Sequence, residues 1–199
     1  MCVTINYRLS PRATWPDHVV DVKRAIAWTK ANIGRHGGDP GFLVITGGSA
    51  GGHLSSLAAL TPGLVAYQPG FEDVDTSVAA AVPFYGVYDL VDRQRGATRG
   101  LDELLSKRVI KTTLVDDRAN WELASPISHV GPGAPPFFVL HGTNDTVVPV
   151  EQARSFSTAL RDTSRQPVVY AELPRAQHAF DILPSIRTHH AVHAVERFL

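Results

Sequence analysis

Five short apolar runs punctuate the chain, at residues 3–7, 42–46, 78–85, 136–141 and 168–173, and most do not alternate apolar with polar positions. Unbroken runs rich in β-branched and aromatic residues suit strands covered on both faces of a parallel sheet, where neither face meets water. Between them the pattern becomes helical. In residues 17–33, Val19, Val22, Ile26 and Ile33 fall on one face, with Pro16-Asp17 as a start signal and Gly34 as a stop. Residues 50–60 place Leu54, Leu57 and Ala58 at helical spacing, and 150–163 and 186–199 read likewise. Strands alternating with helices predict an α/β fold: a mostly parallel sheet, right-handed crossovers and helices on both faces.

The rhythm breaks once. From 86 to 130 no strand pattern occurs, only a helix expected over 101–110 and an irregular stretch around Trp121. So long a connection predicts a lid-like helical insertion before the last two strands, inside a single domain spanning 1–199. The alternative is an insertion that merely decorates the fold.

Composition removes several classes of function. The 199 residues suffice for one buried core, and 44% hydrophobic with 19% charged residues is ordinary for a globular chain. Lys+Arg and Asp+Glu both number 19, so no basic field exists to draw nucleic acid. No apolar run of membrane-spanning length is present, and no signal peptide precedes the first strand pattern, which gives a cytoplasmic expectation. The single cysteine, Cys2, excludes an internal disulfide and reads as buried filler.

The informative stretch is Ile45-Thr46-Gly47-Gly48-Ser49-Ala50-Gly51-Gly52-His53-Leu54. Gly47-Gly48-Ser49-Ala50-Gly51 fits G-x-S-x-G, with a strand pattern before it and a helix pattern after it. A one-residue turn from strand to helix forces Ser49 to strained positive φ, and side chains two positions either way would collide, hence glycine at 47 and 51. The Ala50 N–H, at the start of the helix, is then placed to hold a developing oxyanion. A dinucleotide-binding G-x-G-x-x-G does not register, since Ser49 and Ala50 stand where glycine is needed, and no Gly-Lys pair marks a phosphate loop.

A serine hydroxyl needs an imidazole to take its proton and a carboxylate to orient that imidazole. Asp145 follows the 136–141 run and His178 follows the 168–173 run, giving the order Ser, Asp, His on loops at strand ends. Asp89 is the rival acid. His53 is read as packing or capping, and His141 as a structural hydrogen-bonder. His189, His190 and His193 form an i, i+4 array on the last helix without a third ligand of fitting spacing, so they read as a solvated face and no metal is expected. His18, His36 and His129 have no evident partner in sequence.

At these residues the chain resembles serine esterases of the α/β-hydrolase superfamily, in the carboxylesterase and hormone-sensitive-lipase-like branches. Tyr7-Arg8-Leu9-Ser10-Pro11 is similar to their Y-R-L-A-P segment, and Gly37-Gly38-Asp39-Pro40 to their G-G-D-P turn. GGSAGGHL, Leu140-His141-Gly142-Thr143-Asn144-Asp145 with Val148-Pro149, and Gln177-His178-Ala179-Phe180 complete a likeness over essentially the whole chain. It implies an α/β-hydrolase fold and cofactor-free hydrolysis of small-molecule carboxylic esters with short to medium acyl chains. Ser49, Asp145 and His178 would form the triad, with Gly47, Gly48, Ala50 and Gly51 shaping the elbow and oxyanion site. Arylformamidases share the G-x-S-A-G-x-H-L pattern, so amide hydrolysis is an alternative, and a catalytically silent hydrolase-fold protein is another. The H-G-G-G motif of relatives, and the strand that accompanies it, have no counterpart here. That predicts the carboxyl-terminal two-thirds of a longer esterase, with a sheet edge open to self-association.

Overall fold

The computed structural model describes residues 1–91 and 101–199, so residues 92–100 of the expected insertion lie outside the described residues. Four strands, β1 (Val44–Gly48), β2 (Ala80–Phe84), β3 (Phe137–Gly142) and β4 (Val168–Leu173), form one parallel sheet in that spatial order. Each crossover carries helix, as parallel neighbours require. α1 (Asp17–Asn32) precedes β1, α2 (Ala50–Leu60) links β1 to β2, α5 (Glu151–Thr163) links β3 to β4, and α6 (Ile186–Phe198) ends the chain.

Successive residues of β3 explain why its sequence is apolar throughout. Phe137 and Val139 join α5's Ala153, Phe156 and Leu160 on one face, while Phe138 and Leu140 join α6's Ala191 and Phe198 on the other. The stripe read on α1 is buried as its spacing requires, Val19, Val22 and Ile26 packing with Leu54 and Leu57 of α2. Among the described residues no helix is long and apolar enough to cross a membrane.

Between β2 and β3 the described residues hold α3 (Asp102–Leu104), a π-helical turn (Leu105–Val109), α4 (Arg118–Leu123) and a 3₁₀ turn (Pro126–His129). The helix expected over 101–110 is thus a short α turn that widens. This segment is tied to the body of the fold. Ile110, Trp121 and Ala124 enter the core beside Trp15 and Tyr67, and the Trp15 indole N–H donates to Asn120 Oδ1 at 3.0 Å.

Residues 3–7 correct the sequence reading, for they form no strand. Val3 and Ile5 are exposed, and only Tyr7 of this run packs against the core. β-branched composition makes a strand only where a neighbouring ladder accepts it, and the described sheet begins at β1. Cys2, beside this run, is exposed rather than buried for the same reason. The following Arg8 anchors the segment instead, gripping the Asp21 carboxylate through Nε at 2.8 Å and Nη2 at 2.9 Å.

The α5 face depends on one aromatic stack. Phe156, fully buried, lies flat on Tyr88 with ring centroids 4.3 Å apart and meets Phe137 edge-on at 5.6 Å. Phe156→Ala is expected to destabilise the fold by about 3–5 kcal/mol, measured by urea unfolding.

Candidate active site

All four strands run the same way, so their carboxyl ends share one rim and the segments leaving them meet there. β1 runs into Ser49, which has φ 56° and ψ −117° and is followed directly by α2. The strain expected of a one-residue strand-to-helix turn is therefore present, and the elbow is tied down where the Ser49 N–H donates to the Phe84 carbonyl at 3.0 Å.

The glycines around Ser49 divide the work unevenly. A Cβ at Gly47 would stand 2.7 Å from the carbonyl carbon and oxygen of Gly51, and one at Gly48 would stand 2.6 Å from the Tyr85 hydroxyl. A Cβ at Gly51 would meet nothing within 4 Å, which corrects the reading that both flanks need glycine for clearance. The close approach is onto Gly51's backbone, so of the 47/51 pair only Gly47 requires a missing side chain. Gly52, outside the G-x-S-x-G motif, has no such room: a Cβ there would lie 2.6 Å from the Phe84 carbonyl, so it lets α2 settle onto β2.

The loops after β3 and β4 interlock. Asn144 N–H donates to the Ala176 carbonyl at 3.0 Å, and Arg175 N–H donates to Thr143 Oγ1 at 2.8 Å. Through this lock His178 Nδ1 lies 2.7 Å from Asp145 Oδ2 and His178 Nε2 lies 2.9 Å from Ser49 Oγ. An ionised carboxylate only accepts, so Nδ1 carries the imidazole proton and Nε2 presents its lone pair to the serine hydroxyl.

The Asp145 side chain is completely buried yet fully satisfied. Oδ1 accepts from the Val147 and Val148 N–H groups at 2.9 and 2.8 Å, and Oδ2 faces His178. His141 Nε2 also lies 3.3 Å from Oδ2 while its N–H is directed at the Val148 carbonyl, 2.9 Å away. Burial alone would push this carboxyl up. The contacts of His141, the Val148 N–H, His178 and the Val147 N–H reverse that and hold it at about 2.

The other candidates stand apart from this relay. Asp89 is buried with its backbone bonded to Gln152, while the imidazole faces Asp145. His53 Nδ1 donates to the Val87 carbonyl at 2.9 Å, and burial brings its pKa down to about 4, so it stays neutral. On α6, His189 packs edge-on against His193, which meets Glu196 at 2.8 Å in an exposed pair. Two residues that the sequence reading passed over stand at the rim. Tyr85 is the first residue after β2, and Asp181 lies three past His178. Their side chains meet at 2.5 Å. Tyr85 bears the same relation to β2 that Ser49 bears to β1, a positional signal readable in the sequence.

Comparison with known proteins adds a family and relatives. Residues 1–160 match the family model described as BD-FAE. The full 199 residues are 59% identical to the probable carboxylic ester hydrolase LipM of Mycobacterium tuberculosis, covering 46% of it, and 53% identical to the esterase LipQ of the same organism, covering 47%. The chain thus spans about half the length of the curated relatives it matches. Among solved structures, a thermophilic esterase from Thermogutta terrifontis, Est2 with propionate bound, superposes with a TM-score of 0.76 at 28% identity, over 94% of this chain and 66% of that one.

Two measurements check this geometry. Gly47→Ala is expected to cost about 1–3 kcal/mol, because backbone must move, whereas Gly51→Ala is neutral or stabilising by up to about 0.5 kcal/mol. Urea unfolding of the pair reads the contrast. Asp145 sits at about 2 against an ordinary 3.8, so its contribution to stability is fully present above the ordinary value and is lost as pH falls through 2. Unfolding free energy followed over that acid range will fall less steeply in Asp145→Asn than in the unaltered chain.

Proposed function

The chain belongs to the BD-FAE family and carries the α/β-hydrolase fold, and from that premise we propose that it hydrolyses carboxylic esters through Ser49, His178 and Asp145. The observation that carries this reading is the continuous relay of 2.9 Å and 2.7 Å from a strained serine through an imidazole to a buried carboxylate. The names of the relatives, a carboxylic ester hydrolase and two esterases, support the same class of reaction.

In this mechanism Ser49 Oγ attacks the ester carbonyl while His178 Nε2 removes its proton. The tetrahedral oxyanion forms at the amino terminus of α2, where the Ala50 N–H donates to it and the helix dipole favours negative charge. His178 then gives the proton to the departing alcohol as the carbon–oxygen bond breaks, leaving an acyl group on Ser49. Water attacks that acyl-enzyme with His178 again as base, and the carboxylic acid leaves. Asp145 holds the imidazole in the tautomer the cycle needs; its low pKa keeps it ionised at every pH where His178 acts as base. No cofactor takes part in any step.

Short acyl groups are the proposed substrates, a choice supported by the propionate held by the Thermogutta esterase. The test is a p-nitrophenyl ester series from acetate to octanoate with a fluorophosphonate label. A burst of p-nitrophenol and labelling at Ser49 are expected. Ser49→Ala should abolish labelling and lower kcat by about 10³-fold or more. Unlabelled Ser49 in folded protein sinks the reading.

A further inference from the structure

Tyr85 is held in a costly conformation. It is 4% exposed, sits at φ 36°, and is not a glycine. A bulky residue keeps such a backbone angle only when its surroundings dictate it, and those surroundings are the Leu140 carbonyl that accepts from its N–H, the elbow and the segment around His178. Gly48 of the elbow presses on one side of the phenol, leaving no room for a Cβ, while the His178 ring lies tilted at 60° with its centroid 4.7 Å from that of Tyr85. Phe180 meets the same ring edge-on at 5.5 Å. At the tip, the hydroxyl donates to Asp181 Oδ1. Burial and then the Asp181 bond push the phenol's pKa well up, so it stays protonated and remains the donor.

We propose that Tyr85, polarised by Asp181, is a positioning residue that steadies the His178 ring and favours its protonated form. The inference rests on the ester-hydrolysis reading for its purpose, but its physics needs no turnover. The 4.7 Å centroid separation is short enough for an imidazolium to feel the π density of the Tyr85 ring, an attraction that is strongest over the face. A phenol donating to a carboxylate gains electron density, which deepens that attraction. Imidazolium is the species His178 becomes whenever Ser49 attacks, so an environment preferring it lowers the barrier at that step. Contact with the ring also restricts the imidazole, while the Asp181 link ties the 178–181 loop to the residue that follows β2.

Among the described residues, the ionisable groups facing this pair come from three directions. Asp145, with His141 behind it, approaches from the loop after β3, Asp181 from the histidine's own loop, and Ser49 from the elbow. Asp145 touches the imidazole directly, so the test must change Asp181 and Tyr85 while leaving Asp145 intact.

The experiment is an NMR titration of the His178 Cε1–H, identified by its loss in His178→Gln, in the unaltered protein, Asp181→Asn and Tyr85→Phe. Both variants keep the ring that fills the slot. The midpoint is expected to fall by about half a pH unit in Asp181→Asn, and in the same direction in Tyr85→Phe. A midpoint unmoved in Asp181→Asn overturns the proposal, as does one that moves there but not in Tyr85→Phe, which would bypass the phenol. Asp181 is only half-buried and on a loop, so an unmoved midpoint in Asp181→Asn overturns the proposal even if Tyr85→Phe fails to fold; the phenol is then tested in Tyr85→Asn, a residue that tolerates positive φ, where an unmoved midpoint also overturns it. Shifted midpoints with an unlabelled Ser49 would sink ester hydrolysis and leave this inference standing; a labelled Ser49 with fixed midpoints does the reverse.

Discussion

A parallel sheet delivers the carboxyl ends of all its strands to one rim, and the arrangement of the candidate site depends on that constraint. β1 hands over Ser49, β2 hands over Tyr85, the loop after β3 brings Asp145, and the loop after β4 brings His178. These residues are as far apart in sequence as 129 positions, the separation of Ser49 and His178. Register along the ladders, Gly48 opposite Phe84 and His141 opposite Glu172, sets how far each segment overhangs the rim. An antiparallel arrangement would send alternate loops to the opposite end and break the convergence.

Preorganisation is achieved by satisfying polar groups where burial makes them expensive. Asp145 has no exposed side-chain surface, yet two backbone N–H groups and the His178 imidazole direct protons at it, and His141 abuts it while gripping the same loop. A buried carboxylate left unpaired would take up a proton and no longer accept as a charged group. The strain at Ser49 and at Tyr85 is a second stored quantity, held by bonds from Ser49 N–H to Phe84 and from Tyr85 N–H to Leu140. Both positive-φ residues begin the segment leaving a strand, where a ladder fixes one side of the turn and packing fixes the other.

Much of this was legible in the residues. Four of the five apolar runs are strands within two residues of their expected limits: β2 and β3 are buried on both faces, and the half-buried edge strands β1 and β4 keep a β-branched run. α2 begins and ends where its pattern does, since Ser49 forces the start. Run 3–7 has the same composition but exposed side chains, because composition says nothing of whether a neighbouring ladder is there to receive it. The glycine argument was half legible: the motif identified a tight approach, while which glycine needed its missing Cβ emerged only with Gly47 packed on the Gly51 backbone.

By itself the sequence determined the strand–helix alternation and the order Ser49, Asp145, His178 at strand ends, because apolar periodicity and turn chemistry are local properties written residue by residue. Only the tertiary structure decided that Asp145 rather than Asp89 faces the imidazole, that His141 flanks the same carboxylate, and that Tyr85 and Asp181 close over His178. Those are distances between segments remote along the chain. They are fixed by sheet register and by how loops interlock at the rim, and no local pattern encodes either.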